Sequence, residues 1–155
     1  MLEKTVGKLL MEKQLTIACA ESCTGGLLTS CLTDVEGSSA YVMGSVVSYT
    51  NEVKESLVGV KHETLVAHGA VSEATAREMA EGIRHVIGTA LGVGITGIAG
   101  PGGGTETKPV GLVYIAVAGD KGTTVKKNIF HGSRMENKRS SVEKALEMLH
   151  AYLYQ

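Results

Sequence analysis

Three short stretches of this chain, Thr16–Ala20, Leu91–Thr96 and Val110–Ala118, are apolar almost throughout, and the segments between them change to a helical period. A strand that is apolar on both faces has to be covered on both faces, and helices packed above and below a sheet do this. The helices are legible in the same pattern. Leu2, Val6, Leu9 and Leu10 recur at helical spacing up to about Gln14, and Val142, Ala145, Leu146 and Leu149 do so within Arg134–Tyr152. Ala76, Met79, Ala80, Ile83 and Ile87 share one side of the longest segment between those two, which Ser72-Glu73-Ala74-Thr75 opens. Shorter helices are predicted over Thr24–Val35, over Glu52–Val58 behind an Asn51 cap, and over Lys61–His68. Gly44–Thr50 and the alternating Thr123–Phe130 read as further strands, and the tight succession Val110–Phe130 predicts an antiparallel hairpin. The expected fold class is α/β: a single layered domain with a mixed, mostly parallel sheet and helices on both faces. At 155 residues the chain is long enough for one such domain and too short for two ordinary ones.

Charge and composition remove several functions. The net charge is −1 with both signs interspersed, so no basic face for nucleic acid is expected. No apolar run reaches the roughly 20 residues that a membrane span needs. Charges at Glu3, Lys4, Lys8, Glu12 and Lys13 break up the N-terminus, which therefore lacks a signal-peptide core. A soluble cytoplasmic protein is expected, and its apolar opening helix allows a homodimer. Cys19, Cys23 and Cys31 are odd in number and lack the close pairs of a zinc site, so buried structural thiols are expected. No H-E-x-x-H pair is present and no metal site is expected.

The chemistry-bearing candidates follow the predicted strands. Ala20-Glu21-Ser22-Cys23-Thr24-Gly25-Gly26 joins the first strand to the next helix, a position where a serine is exposed near backbone amides that have no helical partner. Such a serine is either a helix cap or a nucleophile, and a nucleophile needs a base. The five histidines carry no local signature of a Ser-His-Asp set. Lys54, in Tyr49-Thr50-Asn51-Glu52-Val53-Lys54, is the alternative base, provided that burial lowers its pKa; otherwise it is an ordinary solvated lysine. Tyr49 ends a strand close by, where its hydroxyl would relay the proton or orient the amine. Cys23 is a competing nucleophile for an amidase of another kind. The G-x-G-x-x-G at Gly92, Gly94 and Gly97, which overlaps the start of the loop Gly94–Gly104, is a chance match, since those glycines fall inside a strand and no helix follows. Glycines there let a backbone approach a ligand closely. Arg134, at the entry to the last helix, suits a phosphate or a carboxylate, or is a surface arginine.

Taken in order, AESCTGG, GSSAY, VVSYTNEVKESLVGV, HGAVSE, GITGIAGPGGG with KPVG, and a final G-x-R resemble the CinA C-terminal domain family over roughly Leu15 to Leu149. Stand-alone members of that family are nicotinamide-nucleotide amidases. The resemblance implies hydrolysis of the carboxamide of nicotinamide mononucleotide to nicotinic acid mononucleotide and ammonia, with no cofactor and no metal. It places the catalytic serine, lysine and tyrosine on Ser22, Lys54 and Tyr49. Substrate-binding positions would be Glu21, Thr24, Gly25, Gly26, Thr96, Gly97, Gly100 and Arg134. Either the Thr24–Gly26 amides or the Gly97–Gly100 loop would hold the oxyanion. The rival reading is a non-catalytic nucleotide- or partner-binding module.

Overall fold

The computed structural model describes all 155 residues. The chain runs α1 (Leu2–Lys13), β1 (Ile17–Glu21), α2 (Leu27–Thr33), a single 3-10 turn at Ser38–Ala40, β2 (Val42–Val47) and α3 (Asn51–Val53), which widens into a π turn over Lys54–Val58. It continues with α4 (His62–His68), α5 (Glu73–Ile87), β3 (Leu91–Gly97), the hairpin β4 (Leu112–Gly119) and β5 (Gly122–Ile129), and α6 (Arg134–Leu153). The five strands form one sheet in the order β2-β1-β3-β4-β5. β1 pairs in parallel with both β2 and β3, whereas β4 runs antiparallel to β3 and to β5. Only β4 is therefore reversed, and the α/β class with helices on both faces is observed.

Period-two alternation decides what each strand residue meets. Ile17 and Cys19 of β1, with Val93, Ile95 and the valines of β4, face α1, α2 and α6 and form the larger core. Ala18 and Ala20 face the other way, onto Val58, Leu65, Met79 and Ile83, while Ala76 and Ala80 of α5 rest on Ala116 and Ala118. Small side chains on this second face let α5 lie close to the sheet. That accounts for two of the glycines in the apparent dinucleotide motif: a Cβ at Gly92 or Gly94 would overlap the carbonyl oxygens of Ala80 and Ala76.

Two local expectations are corrected. The segment after β1 is not helical from Thr24; Ser22–Gly26 forms an irregular turn, with Gly25 at φ 61° and Gly26 at φ 100°, and α2 begins only at Leu27. The cap of α3 is Thr50 rather than Asn51, with its hydroxyl accepting from the Val53 amide at 3.3 Å. No helix is long and apolar enough to cross a membrane.

Candidate functional site

The carboxyl ends of the three adjacent parallel strands converge on one cleft, the usual ligand position in open α/β sheets. Ser22 follows β1, Ser48 and Tyr49 follow β2, and Thr96 and Gly97 close β3. The Ser22 amide donates to the Ile95 carbonyl at 3.0 Å and the Ser48 amide to the Glu21 carbonyl at 2.8 Å, so backbone bonds hold the three ends in register. The cleft has a volume of about 280 Å³ and is lined by Ser22, Cys23, Tyr49, Lys54, Arg134 and the Thr96–Gly103 loop, among others.

Lys54 defines its chemistry. Its side chain starts from the π turn after α3 and is only 1 % exposed, although a long cationic side chain ordinarily reaches solvent. Nζ lies 3.1 Å from Ser22 Oγ, 2.9 Å from the Ser48 carbonyl oxygen and 3.4 Å from the Tyr49 carbonyl oxygen, and no carboxylate pairs with it. Burial holds its pKa below the ordinary lysine value. A neutral amine has two N–H bonds and one lone pair. With the two bonds donated to the Ser48 and Tyr49 carbonyls, the lone pair faces the Ser22 hydroxyl, as a general base requires.

Ser22 itself is 7 % exposed, at the floor of the cleft. The backbone amides of Cys23, Thr24 and Gly26 donate to no group of the protein, and the same holds for Ala99, Gly100, Gly102 and Gly103 across the cleft. Cys23 also lines the cleft, but burial, with the Glu21 charge adding, pushes its thiol up to about 12. A thiol held protonated is a poor nucleophile, which disfavours Cys23 as the attacking group.

The remaining sequence candidates divide. Thr96, Gly97, Gly100 and Arg134 line the cleft, and Thr96 Oγ1 donates to the Ala70 carbonyl at 2.7 Å, tying the end of β3 to the turn before α5. Arg134 spans the mouth: Nη1 donates to the Gly100 carbonyl at 2.8 Å and Nη2 to the Tyr49 hydroxyl at 3.2 Å. Tyr49 is therefore near the pair in a different manner from that expected. Its carbonyl meets the lysine amine, while its hydroxyl, on a largely exposed ring, meets Arg134 instead of Ser22 or Lys54. Thr24, Gly25 and Gly26 lie behind Ser22 and do not form the cleft wall.

Glu21 is not in the cleft either. It is fully buried on the α2 side of the sheet, and its carboxylate accepts from Thr24 Oγ1, from the Leu28 and Thr29 amides and from Thr29 Oγ1 at 2.6–2.9 Å. The first-turn amides of α2 that looked open to an anion are thus already bound. Ser48 and the π turn, which supply the amine's carbonyl partner and its direction, carry no signature in the sequence pattern. A larger groove of about 480 Å³ between α1, α2 and α6 contains no nucleophile–base pair.

Known proteins share this fold. The CinA C-terminal domain model matches residues 1–153. The chain is 49 % identical over 151 residues to a putative competence-damage inducible protein of Desulforudis audaxviator, covering 97 % of this chain and 37 % of that one. It is 55 % identical over 133 residues to the corresponding protein of Clostridioides difficile, covering 86 % of this chain and 32 % of that one. The chain thus spans about a third of the length of these relatives. Among solved structures, the competence/damage inducible protein CihA from Agrobacterium tumefaciens superimposes with a TM-score of 0.96 at 42 % identity, over 99 % of this chain and 94 % of that one. The competence damage-inducible protein A from Klebsiella pneumoniae gives a TM-score of 0.96 at 33 % identity, over 99 % and 96 %. With nearly the full length covered by these matches, the chain belongs to the CinA C-terminal domain family.

Proposed function

We propose that this chain is an amidohydrolase that converts nicotinamide mononucleotide to nicotinic acid mononucleotide and ammonia through a serine ester. The observation that carries the reading is the buried lysine amine 3.1 Å from Ser22 Oγ with no acidic partner. A binding module has no use for an unpaired buried lysine, whose burial costs stability. Ser22 Oγ attacks the carboxamide carbon as its proton passes to Lys54 Nζ. The C–N bond then breaks, and Nζ returns the proton to the departing ammonia. Water attacks the ester with its proton going to Nζ, the C–Oγ bond breaks, and Ser22 regains a proton. The Cys23 amide, beside the nucleophile, and the open amides of the Ala99–Gly103 loop are the donors available to the oxyanion.

The substrate class rests on charge as well as on resemblance. The cleft wall carries the Arg134 guanidinium and no carboxylate, which suits a phosphate-bearing amide. The test is ammonia release from nicotinamide mononucleotide by the wild-type protein, Ser22→Ala and Lys54→Ala, with and without chelator. Turnover that persists in chelator and disappears in both variants supports the reading. A folded wild-type protein that releases no ammonia overturns it for this substrate.

A further inference from the structure

We propose that Glu21 is a positioning residue for the nucleophile: from beneath the sheet it sets the turn that presents Ser22, without touching the substrate. This inference rests on the serine–lysine reading above. In β1 the alternation that buries Ile17 and Cys19 against α2 and α6 sends the Glu21 side chain to the same face, away from the cleft. A carboxylate with no exposure needs its lone pairs filled, and here four donors fill them. Thr24 Oγ1 donates at 2.6 Å from inside the serine turn, and the Leu28 and Thr29 amides donate at 2.9 Å from the first turn of α2. Thr29 Oγ1 donates at 2.6 Å and also bonds Ser45 Oγ of β2 at 2.8 Å.

The side chain thereby fastens both flanks of Ser22–Gly26 to one fixed point. It also decides which amides stay open. The α2 amides are consumed by Glu21, while those of Cys23 and Thr24, beside the nucleophile, are left without a protein partner. The lysine is held by a separate path. The Glu21 main-chain carbonyl accepts the Ser48 amide, and the Ser48 carbonyl holds Nζ, so neither bond involves the Glu21 side chain. Changing the carboxylate should displace the nucleophile and leave the base where it is.

That separation supplies the test. Glu21→Gln keeps the size of the side chain but puts an NH2 donor against groups that are themselves donors. Expected is a fall in kcat of about 100-fold, the scale of a misplacement near 1 Å. KM for nicotinamide mononucleotide should stay within about threefold and the alkaline rise of the pH–rate profile should keep its midpoint. General loosening of the site would instead let water reach Lys54 and move that midpoint upward, which overturns the proposal, as does wild-type kcat in folded Glu21→Gln. Thr24→Val, which removes one of the four donors, decides the matter if Glu21→Gln does not fold. A several-fold lower kcat at an unmoved midpoint supports the proposal, and unchanged kcat overturns it. Wild-type protein that neither turns over nor is labelled at Ser22 by a fluorophosphonate signals failure of the underlying serine–lysine reading instead.

Discussion

At the scale of single residues, Lys54 joins stability to activity. Its folded-state pKa lies below the unfolded value, so the unfolded chain binds the extra proton more readily and stability rises with pH up to the ordinary lysine value. Replacing the amine with an apolar group of similar length removes that penalty. Lys54→Met should therefore abolish turnover and raise Tm, with the largest gain at low pH and a shrinking one as pH approaches the usual lysine value. Thermal melts of both proteins across a pH series check this, and a lower Tm for Lys54→Met at every pH would refute it. In the proposed reaction Arg134 belongs to binding. Its two bonds close the mouth of the cleft between Gly100 and Tyr49, and hydrogen bonds from a charged donor contribute about 1.5–3 kcal/mol. Arg134→Ala should raise KM roughly tenfold or more with kcat changed far less, given that range of energies. Lysine should not restore the wild-type value, because it lacks the fork that reaches both partners. Steady-state kinetics separate these outcomes, and a loss confined to kcat would count against a binding role.

At the scale of elements, the sequence pattern carries the sheet well and the turns poorly. Apolar runs mark β1, β3 and β4 because these strands are buried on both faces, and the helical period marks α1, α5 and α6 because each buries one stripe. The start of α2 was not legible: Thr24–Gly26 resembles a helix opening, yet two positive-φ glycines delay the helix to Leu27. Ser22 and Lys54 stood out as candidates after strands, but position alone left a helix cap and a solvated lysine as open readings, and the family resemblance made the choice. The role of Glu21 could not be picked out, because period-two alternation gives its face but not the four donors that wait there. Glycines in β3 looked like a cofactor motif and are explained instead by the closeness of α5. A methyl group at Gly94 would press on Ala76, Met79 and Ala80, so Gly94→Ala should destabilise by about 1–3 kcal/mol. Gly102, with open space around it, is the control, and Gly102→Ala should stay within about 0.5 kcal/mol. Denaturant melts of the two variants measure the difference, and equal stabilities would show that α5 yields easily.

At the scale of the whole molecule, charge is distributed in a way that predicts how substrates are told apart. The chain carries a net charge of −1, so no long-range field draws an anion toward it. In the proposed reaction attraction for the phosphate has to be local, from Arg134 and the open amides at the cleft mouth. A local attraction of this sort acts within the Debye length, about 10 Å at 0.1 M ionic strength, and is screened only in part by salt. The mononucleotide should accordingly have a KM lower than the riboside by about tenfold or more, the worth of a charged hydrogen bond, while kcat for the two remains similar because the carboxamide meets the same Ser22 and Lys54. Raising the ionic strength should raise KM for the mononucleotide moderately and leave the riboside nearly unaffected. In Arg134→Ala the two substrates should converge, in KM and in salt response. If the preference for the mononucleotide survives that substitution intact, the phosphate is held by the glycine-loop amides alone, and Arg134 serves only to brace Gly100 against Tyr49.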